Sequence, residues 1–197
     1  LIYMSNTCFT TYKIVGKKES VAKLHSTIKE LENRQTPLVE NEWYNPKLWL
    51  GCLIAAIGGN PEEVLCRGTI TDYEMAHDVL TVNTETSWTE MAETRRYIER
   101  RFPHIKIYYL EEEDSCERFS TNDIEGEFFK ERYFWDSSKG AMYFSSLQEV
   151  ADYTEEVIGH KVEVAFNCIK DALICYAEEH EEDEEYYNLF EIKVCKD

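Results

Sequence analysis

Five residues of this chain carry groups whose types and spacing suit a shared groove: Glu85, Trp88, Glu112, Asn122 and Asp123. Paired carboxylates act as general acid and base, or hold hard cations. If Glu85 and Glu112 end neighbouring strands beside an Asn-Asp turn and an indole, the five residues line one cleft. The same residues have plainer uses. Glu85 suits the positive end of a helix dipole, Asn122-Asp123 suits a turn, and Trp88 suits a core.

Other chemistries find little support. The histidines at 25, 77, 104, 160 and 180 are scattered, with no zinc-type spacing. No metal site and no cofactor is implied. Gly58-Gly59-Asn60-Pro61 lacks the Gly-Lys-Ser/Thr of a phosphate loop, and no Gly-x-Ser-x-Gly elbow occurs. The seven cysteines include no CxxC pair, and several sit in apolar runs. Reduced, mostly buried thiols in a cytoplasmic protein are expected, with Cys168 and Cys175 in a core. The tract Glu178–Glu185, which includes Glu181, Glu182, Asp183, Glu184 and Glu185, reads as a solvated surface.

Charge narrows the partners. Acidic residues number 39 against 21 basic ones, a net charge of −18. Phosphate backbones and anionic membranes repel such a chain, so neither nucleic acid nor membrane is expected as a direct partner. The densest basic spots are Lys17-Lys18 and Arg95-Arg96 with Arg100-Arg101. No stretch approaches the ~20 apolar residues of a membrane span. Hydrophobic residues make up 43% of the chain, with 13 Tyr, 9 Phe and 4 Trp, enough for a packed core.

The elements that would position the five residues follow from periodicity. Residues 6–15 read as a strand ended by Gly16. A helix capped by Ser20 follows, with Val21, Leu24, Ile28 and Leu31 on one face. Residues 47–57 form a short apolar helix. Residues 65–74 and 78–85 make a hairpin. A helix from Thr86 or Ser87 to Phe102 places Trp88 among its apolar positions, and 105–110 is a strand. Residues 115–130 read as a turn-rich hairpin or loop, and Arg132–Trp135 is a short strand. Asp136–Gly140 is the candidate boundary. Beyond it, Ser146 with Glu149 is a capping box for a helix ending at Gly159, and Asn167 opens another. Tyr187–Val194 is strand-like. The order gives an α+β fold, a ferredoxin-like βαββαβ antiparallel sheet with helices on one face over residues 1–137, with a small α/β appendage at 138–197.

Asn6…Gly16, Trp49-Leu50-Gly51, Cys66-Arg67-Gly68-Thr69-Ile70, Thr84-Glu85-Thr86-Ser87-Trp88, Tyr108-Tyr109-Leu110-Glu111-Glu112-Glu113 and Thr121-Asn122-Asp123-Ile124-Glu125-Gly126 occur in this order. Together they resemble the YubB-like family over residues 4–136. The chain departs from the family pattern at Ser87 and at Asp114-Ser115. The resemblance implies a ferredoxin-like domain and an origin on plasmids, phages or conjugative elements. It implies no reaction.

Three functions are compatible with these observations. The first is a non-catalytic accessory protein that binds a basic protein partner, through the five-residue groove or the acidic tract. The second is an acidic mimic of nucleic acid directed at a DNA-binding or restriction protein. The third is a carboxylate enzyme or divalent-cation site, which requires Glu85 and Glu112 to share one cleft.

Overall fold

The computed structural model describes residues 6–42, 47–180 and 185–196. It is a mixed α/β protein with five helices and antiparallel strand pairing among those residues. The chain divides into two compact units between Asn122 and Asp123.

The first unit contains strands β1 (Thr7–Gly16), β2 (Gly68–Ala76), β3 (Val79–Ser87), β4 (Ile105–Glu113) and β5 (Arg118–Thr121). Its helices are α1 (Lys18–Glu32), α2 (Leu50–Ala56) and α3 (Ala92–Arg101). Its strands lie in the order β2-β3-β1-β4-β5. Strand side chains alternate between faces, so the buried set in β1 is Cys8, Thr10, Tyr12 and Ile14. Tyr12 pairs with Val82 and with Tyr109, which puts all three on the same face. Val21, Leu24, Ile28 and Leu31 of α1 and Ile98 of α3 close that face into one core.

Three local features fix this unit. His77 and Asp78 both have positive φ (48° and 65°), the condition a two-residue hairpin turn needs between β2 and β3. A β-bulge falls between Ile70 and Asp72 of edge strand β2. Gly16 (φ +137°) lies against the His104 carbonyl, which a Cβ there would meet at 1.9 Å.

The second unit holds β6 (Tyr133–Ser137), β7 (Gly140–Phe144), α4 (Leu147–Ile158), α5 (Phe166–Glu179), β8 (Tyr187–Glu191) and β9 (Lys193–Val194). β7, β6 and β8 form a sheet in that order. Trp135, Phe144 and Leu189 from the sheet pack with Val150, Ile169 and Leu173 from the helices. Residues 136–140, read from sequence as a boundary, form the turn of the β6–β7 hairpin.

Several elements differ from the sequence reading. α1 starts at Lys18 rather than after Ser20. α5 is preceded by Ala165, not capped by Asn167. Cys168 and Cys175 lie on the exposed side of α5, and only Cys8, Cys52 and Cys66 of the seven thiols are buried. Ile169 and Leu173 fill the inward positions instead. α3 begins at Ala92 because residues 88–91 are held as a loop.

Candidate functional site: an aromatic and acidic end of the first sheet

The β1 register places Phe9 opposite Glu85 of β3 on one side and opposite Glu112 of β4 on the other. All three side chains belong to the sheet face that turns away from α1 and α3, because Cys8 and Thr10 on either side of Phe9 point into the buried face. Adjacent strands lie about 4.8 Å apart, so the two carboxylates rise from backbones roughly 10 Å apart with a benzene ring between them. Phe9 is 51% exposed. Glu85 is exposed and Glu112 half-buried.

Trp88 comes directly after the end of β3. It follows Ser87, whose backbone partner is Thr7, and its own amide donates to the Asn6 carbonyl at 2.9 Å. The indole is 46% exposed, and its backbone sits in the left-handed region at φ 74°. A non-glycine residue there is strained and persists only when its surroundings dictate it.

Those surroundings are a polar network on the opposite, buried face. The Glu111 carboxylate accepts from the Ser120 hydroxyl (2.6 Å), the Thr89 hydroxyl (2.9 Å) and the Glu90 amide (2.8 Å). The Thr86 hydroxyl donates to the Thr89 carbonyl at 2.7 Å, and the Met91 amide donates to the Tyr12 hydroxyl at 3.3 Å. Tyr12 in turn donates to Glu90 at 3.2 Å. Glu90 is also bound by Arg95 at 3.2 Å, and that guanidinium stacks 5.1 Å from the Tyr109 ring centre. The 88–91 loop is therefore tied to β1, β3, β4 and α3.

Burial governs the titration of this network. It pushes the Tyr12 hydroxyl well above its ordinary value, and neighbouring Glu90 adds to the rise. Burial also raises the Glu90 carboxyl, with Arg95 opposing it. Burial raises the Cys8 thiol in the same way. The nearby cavity, bordered by Tyr12, Val82, Thr84 and Arg95, has a volume of about 30 Å³. That holds one water, not a substrate. These buried groups act by holding the loop.

The other two groove candidates are engaged by backbone groups. The Asn122 side chain accepts from the Tyr109 amide (2.8 Å) and donates to the Ile107 carbonyl (2.9 Å), extending the ladder past the end of β5. Those residues are three to five positions along β4 from Glu112, about 10–17 Å away. Asp123, in the second unit, is inaccessible to solvent. It accepts from the amides of Glu127, Phe128 and Phe129 at 2.7 to 3.0 Å. Burial alone would raise its carboxyl, but these three donors and the charge of Arg132 together lower the pKa. Both residues do turn and edge chemistry. Of the five expected groove residues, Glu85 and Glu112 share a row with Phe9, and Trp88 follows β3 in the chain. Phe9 was legible in principle: in β1 it falls in phase with polar Thr7, Thr11 and Lys13.

Of the acidic tract, Glu181, Glu182, Asp183 and Glu184 lie outside the described residues. Glu185 is an ion-pair partner of Lys139 at 2.6 Å and accepts from the Tyr187 hydroxyl. Among the described residues no group of His, Cys, Asp and Glu gathers as a metal site, and no helix is long and apolar enough to cross a membrane.

No protein-family model, curated protein or solved structure matches the chain.

Proposed function

We propose that this protein is a non-catalytic interaction module that docks a basic segment of a partner protein on the Phe9 row. The observation that carries the reading is the placement of exposed Phe9 between Glu85 and Glu112. A guanidinium or ammonium over an aromatic face gains roughly 0.5–1 kcal/mol at exposed sites, more once water is excluded. Flanking carboxylates add charge-assisted hydrogen bonds. Trp88 supplies an adjacent apolar contact, and aromatic anchors carry much of the energy of protein interfaces. The net charge of −18 steers cationic partners toward the chain. A ring between the two carboxylates suits a cation–π contact better than a shared divalent ion, for which ligands must converge to about 2.5 Å.

The strand order, with β1 between β3 and β4 and antiparallel to both, supports reading β1–β4 with α1 and α3 as a ferredoxin-like βαββαβ core. On that reading α2 and β5 are additions. An accessory role on a mobile element, as among YubB-like proteins, belongs to the same proposal.

The test is an amide-resolved titration with a hexa-arginine peptide. The amides of Phe9, Glu85 and Glu112 and the Trp88 indole should shift together, and Phe9→Ser should weaken binding at least fivefold. Shifts scattered over the whole acidic surface and indifferent to Phe9→Ser would overturn the assignment.

A further inference from the structure

The two densest basic spots of the sequence, around Lys17 and around Arg101, meet in one cleft of the first unit. The contact is built into the backbone. Gly16 lies against the His104 carbonyl, the Lys17 amide donates to that carbonyl at 3.1 Å, and the Ser20 hydroxyl points to the Pro103 carbonyl at 3.5 Å. The resulting cleft has a volume of about 690 Å³, within the usual range of small-molecule sites. Lys17, Lys23 and Arg101 line it, with Glu19 as the one carboxylate among its walls. In a chain of net charge −18 this is a local inversion of sign.

The cations differ in how they are held. The Arg101 Nε donates to the Ile57 carbonyl at 2.7 Å, so the guanidinium is oriented before any ligand arrives. Gly58 (φ +86°) makes room for it; a Cβ there would lie 3.2 Å from the Arg101 Nη2. Lys17 has only a loose contact with Glu19, at 3.9 Å between two exposed side chains, which water screens almost completely. Lys23 and Thr27 come from the next turns of α1. The floor, Ala55, Ala56, Ile57 and Phe102, is apolar. α1 opens beside the cleft with no side-chain cap on its first turn, so its dipole adds to the positive field.

We infer that this cleft binds a small phosphorylated molecule, with its phosphate group on Lys17, Lys23 and Arg101 and its organic body on the apolar floor. The excess of two positive charges matches a phosphomonoester dianion. The fork of Arg101 fits phosphate oxygens. A long polyanion is disfavoured, since beyond the cleft it would meet the negative remainder of the molecule. The site uses none of the residues of the Phe9 row and stands or falls independently of it.

The experiment is an amide-resolved titration of the full chain with phenyl phosphate and, separately, inorganic phosphate. Phenyl phosphate should give saturable shifts at Lys18–Ser20 and Ala55–Gly58 and bind several-fold more tightly than inorganic phosphate. Arg101→Gln and Lys23→Gln should each weaken it about tenfold, the effect of losing one charge-assisted contact. Lys13→Gln, on the far face of the sheet, should leave it unchanged. Absence of saturable shifts, or equal binding by the wild type and both cleft variants, would overturn the site. Equal affinity for the two probes would remove the organic ligand from the assignment.

Discussion

Trp88 combines two features that oppose stability: a left-handed backbone at φ 74° and an indole left 46% exposed. Left-handed backbone costs a non-glycine residue about 1–2 kcal/mol. If the indole is displayed rather than packed, Trp88→Gly should leave stability unchanged or raise it by up to about 1 kcal/mol in urea unfolding, while weakening hexa-arginine binding. A loss above ~2 kcal/mol would mean the ring is packed after all. Glu90 offers a second test. Its folded-state pKa is raised, chiefly by burial, so the folded protein holds that proton more tightly than the unfolded chain. Its contribution to stability is therefore complete below the unfolded pKa and lost as pH rises through the folded one. Asp123 has the opposite sign: its pKa is lowered, so its contribution is present above the unfolded value and lost as pH falls through the folded one. A pH series of urea melts should show Glu90→Gln abolishing the decline on the alkaline side of the carboxylate range. The acid-side decline should persist in that variant, because Asp123 is untouched.

Among the elements, α4 is the one whose ends the residues specify locally. The Ser146 hydroxyl accepts from the Glu149 amide at 3.3 Å, the Glu149 carboxylate accepts from the Ser145 amide at 3.0 Å, and Gly159 closes the helix at φ 78°. Ser146→Ala should cost about 1 kcal/mol, read from the urea midpoint of the second unit's unfolding. This helix was legible in the sequence because capping is local chemistry. The start of α3 was not. Thr86, Ser87 and Thr89 are all good cap residues, but Glu111 and Tyr12, distant in sequence, take the loop's donors and delay the helix to Ala92. β7 escaped for a related reason: Gly140–Phe144 has weak alternation and becomes a strand by pairing with β6. The site followed the same rule. Glu85 and Glu112 stand near strand ends, and their pairing with Phe9 follows from the parity and register of β1. Asn122 and Asp123 did what turn residues commonly do. The basic cleft needed the fold, because Lys17 and Arg101 are far apart in the sequence and come to one cleft through the Gly16–His104 contact and the bond of Arg101 to Ile57.

For the molecule as a whole, the net charge of −18 is a standing repulsion that compact structure concentrates. Among the described residues, Arg95 with Glu90 is the ion pair with both side chains buried. Raising ionic strength from ~0.02 to ~0.5 M should therefore raise the melting temperature by several degrees, since screening lengths fall below the spacing of surface charges. A melting temperature that falls with salt would place more stability in surface pairs than their exposure allows. The bulge in β2 has a consequence for how the gene can change length. Ile70 faces the core before it, Tyr73 and Met75 after it, and Thr71 is the surplus residue that switches the parity. Deleting Thr71 keeps every later side chain on its present face, whereas losing a residue such as Glu74 inverts the strand that follows. A soluble, cooperatively melting ΔThr71 variant beside an aggregating ΔGlu74 variant is the expected pair, and it would mark Thr71 as a place where this edge can lose a codon without losing its fold.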